Sequence, residues 1–132
     1  MAKLAIVILN WNGRRFLERF LPTLESTLPE YAEIVIADNA SSDDSVSFLK
    51  NNFPNIRILE HTENEGFAKG YNHALENVEA EYYCLLNSDI EVTPHWIEPV
   101  IEQLDADSKI AAVQPKLLSY HNRQQFEYAG AA

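Results

Sequence analysis

Six consecutive apolar residues, Leu4-Ala5-Ile6-Val7-Ile8-Leu9, constrain this chain more than any other feature. A strand with one wet face alternates apolar and polar side chains, whereas an unbroken run needs cover on both faces, as in a parallel sheet flanked by helices. The run is too short to cross a bilayer, which takes about 20 residues, and lacks the flanks of a signal peptide. A cytoplasmic protein is therefore expected. The run stops at Asn10-Trp11-Asn12-Gly13, and the next segment changes period. Phe16, Leu17, Phe20, Leu21 and Leu24 fall at three-four spacing, which predicts an amphipathic helix from Arg14 to Leu24, made irregular by Pro22.

The alternation then repeats. Glu33 to Ala37 reads as a second buried strand, closed by the turn-rich stretch Asp38 to Ser45, with a short helix from Val46 to Asn51. Asn55 to Glu60 reads as a third strand, Gly66 to Asn77 as a helix, and Glu81 to Leu86 as a fourth strand ending at Asn87-Ser88-Asp89. Pro94 suits the first turn of a helix running to about Leu104, and Ile110 to Val113 predicts a further strand. Strands and helices joined by short connections imply an α/β fold: a mainly parallel twisted sheet with helices on both faces. At 132 residues the whole chain reads as one domain.

Charge narrows the function. Ten Lys and Arg against twenty Asp and Glu give a formal net charge of -10, so a nucleic-acid partner is not expected. An anionic small ligand would need backbone amides, a helix N-terminus or a divalent cation to hold its phosphates. Cys84 is the only cysteine, so no internal disulfide can form. His61, His73, His95 and His121 lack the H-x-x-x-H and H-E-x-x-H spacings, and surface or satisfied structural roles are expected for them.

In open sheets of this kind ligands bind beyond the carboxyl ends of the strands. Asn10 to Gly13, Asp38 to Ser42 and Asn87 to Asp89 all lie at such ends. Asp38 is placed to accept hydrogen bonds from a ribose or base, or else to cap its own turn. Asp89 could ligate Mg or Mn or simply belong to a turn, and Trp11 and Phe67 could stack on a base or wall the ligand pocket, or else belong to the core. With glycine only at positions 13, 66, 70 and 130, neither a G-x-G-x-x-G dinucleotide loop nor a Walker phosphate loop is present.

Val7 to Gly13, Asp38 to Asp43, Asn64 to Asn72 and Leu85 to Ile90 resemble, in order and spacing, the family 2 glycosyltransferases, in particular their rhamnosyltransferase-like bacterial branch. The resemblance runs from Lys3 to at least Lys116, and Phe126 to Gly130 looks like the start of the family's next segment. It implies a GT-A fold, truncated at the C-terminus, that binds a UDP- or dTDP-sugar and transfers the sugar with inversion to a glycan or lipid-linked acceptor. The setting it implies is bacterial polysaccharide or cell-surface glycan synthesis. Asp38 would meet the base with Asn10, Trp11, Asn12, Asn39 and Ser41 around it. Gly66, Phe67 and Asn72 would lie near the ribose and diphosphate, beside Asn87 and Ser88. Asp89 would hold a Mg or Mn ion as the last acid of a D-x-D-like motif, whose first acid is replaced by Asn87. The general base is expected downstream of Ala132, Glu127 being a poor substitute, so a donor half-site inactive alone is expected. The reading allows peripheral membrane association of a longer parent and self-association of this piece. The alternatives are a non-catalytic nucleotide-binding or interaction module, and a sugar nucleotidyltransferase, which would need a Gly-rich basic loop after the first strand.

Overall fold

The computed structural model describes residues 1–128. It divides into two compact units, Met1–Val92 and Thr93–Ala132.

The first unit is built on a four-stranded sheet. Its elements are β1 (Ala2–Asn10), α1 (Arg14–Ser26), β2 (Ala32–Asp38), α2 (Ser45–Asn52), β3 (Arg57–Glu60), α3 (Phe67–Glu76) and β4 (Ala80–Leu86). The strand order is β3-β2-β1-β4 and every pairing is parallel. The central strands β1 and β2 carry unbroken, fully buried apolar runs because they alone are flanked by strands on both sides and buried on both faces. On one face Ala5, Val7, Val35 and Ala37 pack with Tyr71, Ala74 and Val78, so α3 covers it. Ile8 and Leu86 on the other face line a crevice with Leu17, Phe20, Leu21 and Leu24 of α1. Helix α1 runs on through the exposed Pro22 to Ser26, beyond its expected end. The missing proline N–H is tolerated there because the carbonyl it would have served lies on the solvent side.

The register of the sheet places the functional loops. Asn10 pairs with Asp38, and Asp38 with Glu60, so β1, β2 and β3 end level with one another. The ladder continues one step into the loops, with Asn39 N–H donating to the Asn10 carbonyl and His61 N–H to that of Asp38, both at 2.8 Å.

The second unit holds α4 (Glu98–Ala106) and an antiparallel pair, β5 (Leu117–Leu118) with β6 (Phe126–Tyr128). Two expectations are corrected here. The helix begins at Glu98 rather than Pro94, with Pro99 in its first turn, because His95 takes a positive φ of 59° that no helix can contain. The strand expected at Ile110–Val113 does not form, and residues 111–116 have no regular structure. Four apolar residues ahead of Gln114-Pro115 are too few to set a period, and Pro115 removes a ladder donor. The segment expected to begin at Phe126 starts as β6, while residues 129–132 lie outside the described residues. No helix among the described residues is long and apolar enough to cross a membrane.

Candidate functional site

The loops at the carboxyl ends of β1, β2 and β3 are fastened to one another by side chains. Asn10 is fully buried, and Asp38 and Asn39 are 3% and 2% exposed. Burying such groups is costly unless they are bonded, and the bonds are the loops' framework. Asn10 Nδ2 donates to Asp38 Oδ1 at 2.9 Å and to Ser41 Oγ at 3.2 Å. Ser41 Oγ donates to Asp38 Oδ1 at 2.7 Å, and Ser41 N–H to Asp38 Oδ2 at 2.9 Å. A carboxylate offers about four acceptor positions, so with these three filled the opening that remains is on Oδ2. Asp38 is thus a turn organiser first, with capacity for one further donor.

Backbone conformation follows the same loops. Asn12 and Ala40 have positive φ angles of 50° and 61°, a region L-residues rarely enter without compensation. Compensation is present: Asn12 N–H donates to Ser41 Oγ at 2.9 Å, and Asn12 Oδ1 accepts from Ser42 N–H at 2.7 Å and Asp43 N–H at 3.1 Å. Asp43 accepts from Arg14 N–H and Ser45 N–H, so one carboxylate serves the first turns of α1 and α2. Burial pushes that carboxyl up, but the bonds from Ser45 and Arg14 and the Arg14 charge outweigh it and leave it below its usual value.

Gly13 has no room for a side chain. A Cβ there would stand 2.5 Å from Asn10 Oδ1 and 3.3 Å from Ser88 Oγ, which brings the ends of β1 and β4 to the same space. Asn10 Oδ1 is buried with no hydrogen-bond partner. Tyr71 ties the two strands further: Leu9 N–H donates to its hydroxyl at 3.4 Å, and the hydroxyl donates to the Leu86 carbonyl at 3.1 Å. Burial pushes this phenol up, so it remains a donor at any physiological pH.

Asn39 links β2 to the loop after β3. Its Nδ2 donates to Asn64 Oδ1 and to the Gly66 carbonyl, both at 3.0 Å, and its Oδ1 accepts from Glu65 N–H at 3.0 Å. Gly66, at φ 77°, makes the left-handed turn into α3 that a side chain would resist.

The sequence-expected residues fall into two groups. Asn10, Asp38, Asn39 and Ser41 form the buried hydrogen-bonded floor. Trp11 (56% exposed), Phe67 (67% exposed), Asn72, Asn87 and Asp89 are exposed, with Asn12 and Ser88 between. Trp11 and Phe67 are therefore not core, the alternative weighed for them, although the Phe67 ring does meet Tyr71 edge-on. Among the described residues no hydrogen bond or ion pair claims the Asp89 carboxylate, which leaves it chemically fit to ligate a hard cation. Cys84 is partly buried in β4, its thiol pushed up to about 11 by burial, and takes no part in the rim. A shallow depression of about 450 Å³ beside Ala2, Glu33, Arg57 and Glu79 lies at the opposite, amino-terminal end of the strands.

Sequence reasoning missed Asp43, Asn64, Tyr71 and one cluster. His61, Glu65 and His73 each offer a ligand atom, all within 4.8 Å of one another. The usable signal is the four-residue spacing of His61 and Glu65, which histidine-pair spacings do not include.

The sequence profile described as Glycosyl transferase family 2 matches residues 5–129. The teichoic acid poly(glycerol phosphate) polymerase of Staphylococcus epidermidis is 28% identical over 118 residues, 86% of this chain and 16% of the relative. A probable molybdenum cofactor guanylyltransferase of Bacillus anthracis is 28% identical over 121 residues, 86% of this chain and 58% of the relative. The chain thus spans well under two thirds of either relative's length. Among solved structures, S. aureus TarS 1-349 in complex with UDP superposes with a TM-score of 0.69 at 20% identity, over 79% of this chain and 32% of that one. The mannosyltransferase PcManGT from Pyrobaculum calidifontis, in complex with GDP-Man and Mn2+, gives 0.61 at 22% identity, over 67% and 28%. At such identities the likeness speaks for fold alone, and the fold is the expected α/β architecture of GT-A glycosyltransferases.

Proposed function

Because the chain belongs to glycosyl transferase family 2, we propose that its strand-end rim binds a nucleoside-diphosphate sugar for transfer of the sugar to an acceptor hydroxyl in cell-surface glycan synthesis. One observation carries the donor-side reading. Asn10 Oδ1 and Asp38 Oδ2 are two acceptors with unfilled capacity in the bonded polar floor of a rim that also carries the exposed rings of Trp11 and Phe67. A base edge with its N–H groups, or a ribose hydroxyl, is the chemistry such a floor can accept. The structural relatives named with UDP and with GDP-Man support a nucleotide-sugar donor, and the teichoic acid polymerase supports a cell-surface product. A cytoplasmic location goes with this reading.

In this reading Asp89 would hold a divalent ion, and the neighbour named with Mn2+ supports the ion's part in it. Such an ion, when bound, neutralises charge developing on the departing diphosphate. The chain's own part is to hold the base at Asp38 and Asn10 and the diphosphate end near Gly66 to Asn72. The finer reading is inverting transfer, with these 132 residues supplying the donor side and further residues needed for the acceptor and its base. The alignment with 16% and 58% of the two curated relatives covers only part of their lengths.

The test is calorimetric titration with UDP, dTDP and GDP, each with Mn2+ and in chelator. Tighter binding with Mn2+, lost in Asp89→Ala, is the expected result; equal affinity with and without the ion would overturn the assignment. Nucleotidyl transfer is the second reading, favoured by the guanylyltransferase relatives. Against it, the loop after β1 holds a single glycine, and the Arg14 guanidinium that follows is ion-paired with Glu18 and Asp44. Pyrophosphate release from a nucleoside triphosphate and a sugar phosphate would favour it.

A further inference from the structure

We propose that His61, Glu65 and His73 form a zinc-class metal site at the carboxyl end of β3, separate from any ion held by Asp89. His61 directly follows β3, Glu65 lies four residues on, and His73 reaches back from α3. Two imidazoles and a carboxylate make a donor set that zinc takes with a fourth position open, and their ligand atoms already lie within 4.8 Å of one another.

The second observation is a tautomer. Both hydrogens of the Asn39 amide are committed, to Asn64 Oδ1 and the Gly66 carbonyl, so its Oδ1 faces His61 Nδ1 at 3.1 Å as an acceptor. His61 Nδ1 must then carry the ring proton. That leaves the lone pair on Nε2, which is buried and has no partner. A histidine whose one nitrogen donates to a protein oxygen while the other stays bare is the arrangement found at metal ligands, where the second hydrogen bond fixes ring and tautomer. Glu65 supplies the negative charge, with its carboxylate already bonded to His73 Nδ1.

Binding requires one adjustment. The two rings are stacked with centroids 4.3 Å apart and planes 12° from parallel, whereas a tetrahedral ion takes its ligands at about 2.0–2.2 Å with the metal in each ring plane. His73, which is exposed, has the freedom to tilt, while Asn39 holds His61. The site is not a second description of the Asp89 ion. In the order β3-β2-β1-β4 the two strand ends stand three spacings apart, about 14 Å. Through Asn39, metal capture would fix the loop holding Asn64, Glu65 and Gly66 against the end of β2, one residue from Asp38.

The experiment is competitive Zn2+ titration against a chromophoric chelator, with Co2+ absorption as the coordination readout, on the 132-residue protein and three variants. Wild type and Asp89→Ala should hold Zn2+ at this site with equal affinity and give the same tetrahedral Co2+ bands. His73→Ala and Glu65→Gln should weaken binding by at least about 10-fold, the effect of losing even an outer-shell partner. His73 is exposed, so its replacement leaves the core intact. Absence of Zn2+ binding to wild type with tetrahedral Co2+ bands, unchanged affinity in His73→Ala, or loss of binding in Asp89→Ala would each overturn the proposal.

Discussion

Replacing Asp38 by alanine measures how much of the rim is held by one carboxylate. The side chain accepts three hydrogen bonds, from Asn10 Nδ2, Ser41 Oγ and Ser41 N–H. Bonds to a charged acceptor contribute about 1.5–3 kcal/mol each, and bonds sharing an acceptor do not add. Two of the donors have other recourse: the serine hydroxyl can rotate, and Asn10 Nδ2 keeps its bond to Ser41 Oγ. The cost of Asp38→Ala should therefore be roughly 3–4 kcal/mol. Asp38→Asn should cost less, about 1–2 kcal/mol. Its amide nitrogen can take the Oδ1 position if Asn10 flips to present Oδ1, while the Oδ2 position, opposite Ser41 N–H, admits only an oxygen. Urea unfolding followed by far-UV circular dichroism gives both values, and a cycle with Asn10→Ala should return a coupling of about 1 kcal/mol or more. A loss below about 0.5 kcal/mol for Asp38→Ala, the range of ordinary surface changes, would refute the claim that this carboxylate organises the loops.

Tyr71→Phe should cost about 1–3 kcal/mol by stranding the Leu86 carbonyl and the Leu9 N–H, read from the same urea curves; an unchanged midpoint would show that the hydroxyl bridge contributes nothing. Acid should destabilise the protein in two stages. Burial, then the neighbouring His73, depress His61, and Glu65 and Asp38 only partly offset them. Below about pH 6.5 the unfolded chain therefore binds a proton that the folded one refuses, and stability falls as pH falls. Glu65 is held below its usual value by the bond from His73, so its contribution, complete above the unfolded value of 4.5, is lost as pH drops through the folded value. Urea midpoints from pH 7.5 to 3 check both, and a midpoint that rises on acidification would contradict the sign.

The sheet was legible because β1 and β2 are buried on both faces, which forces their residues to be apolar without interruption, and because α1 and α3 each turn an apolar stripe inward. The rim was legible for the same reason: parallel strands end on the same side, so their polar termini had to converge. The hydrogen-bonded interior of the rim was not. That Asn39 meets His61, Asn64 and Gly66 depends on the β2–β3 register, in which Asp38 opposes Glu60, and no local pattern encodes a pairing 22 to 27 residues away. The strand expected at Ile110 failed for the converse reason: four apolar residues satisfy a local pattern without any neighbouring strand to complete it.

The pairing of β1 with β4 also governs when the site comes into being. Its first rung joins Ala2 to Ala80, and its last, Ile8 to Leu86, spans a closed loop of the same length. Closing so long a loop costs entropy before any contact repays it, whereas α1, α2 and α3 form from neighbours in the chain. On these grounds β4 is expected to pair last in folding, and it alone delivers Asn87, Ser88 and Asp89 to the rim. A nascent or partly unfolded molecule can hold its Asp38 turn in place and still lack the residue assigned to the metal. The rim is therefore completed in time by the contact most distant in sequence.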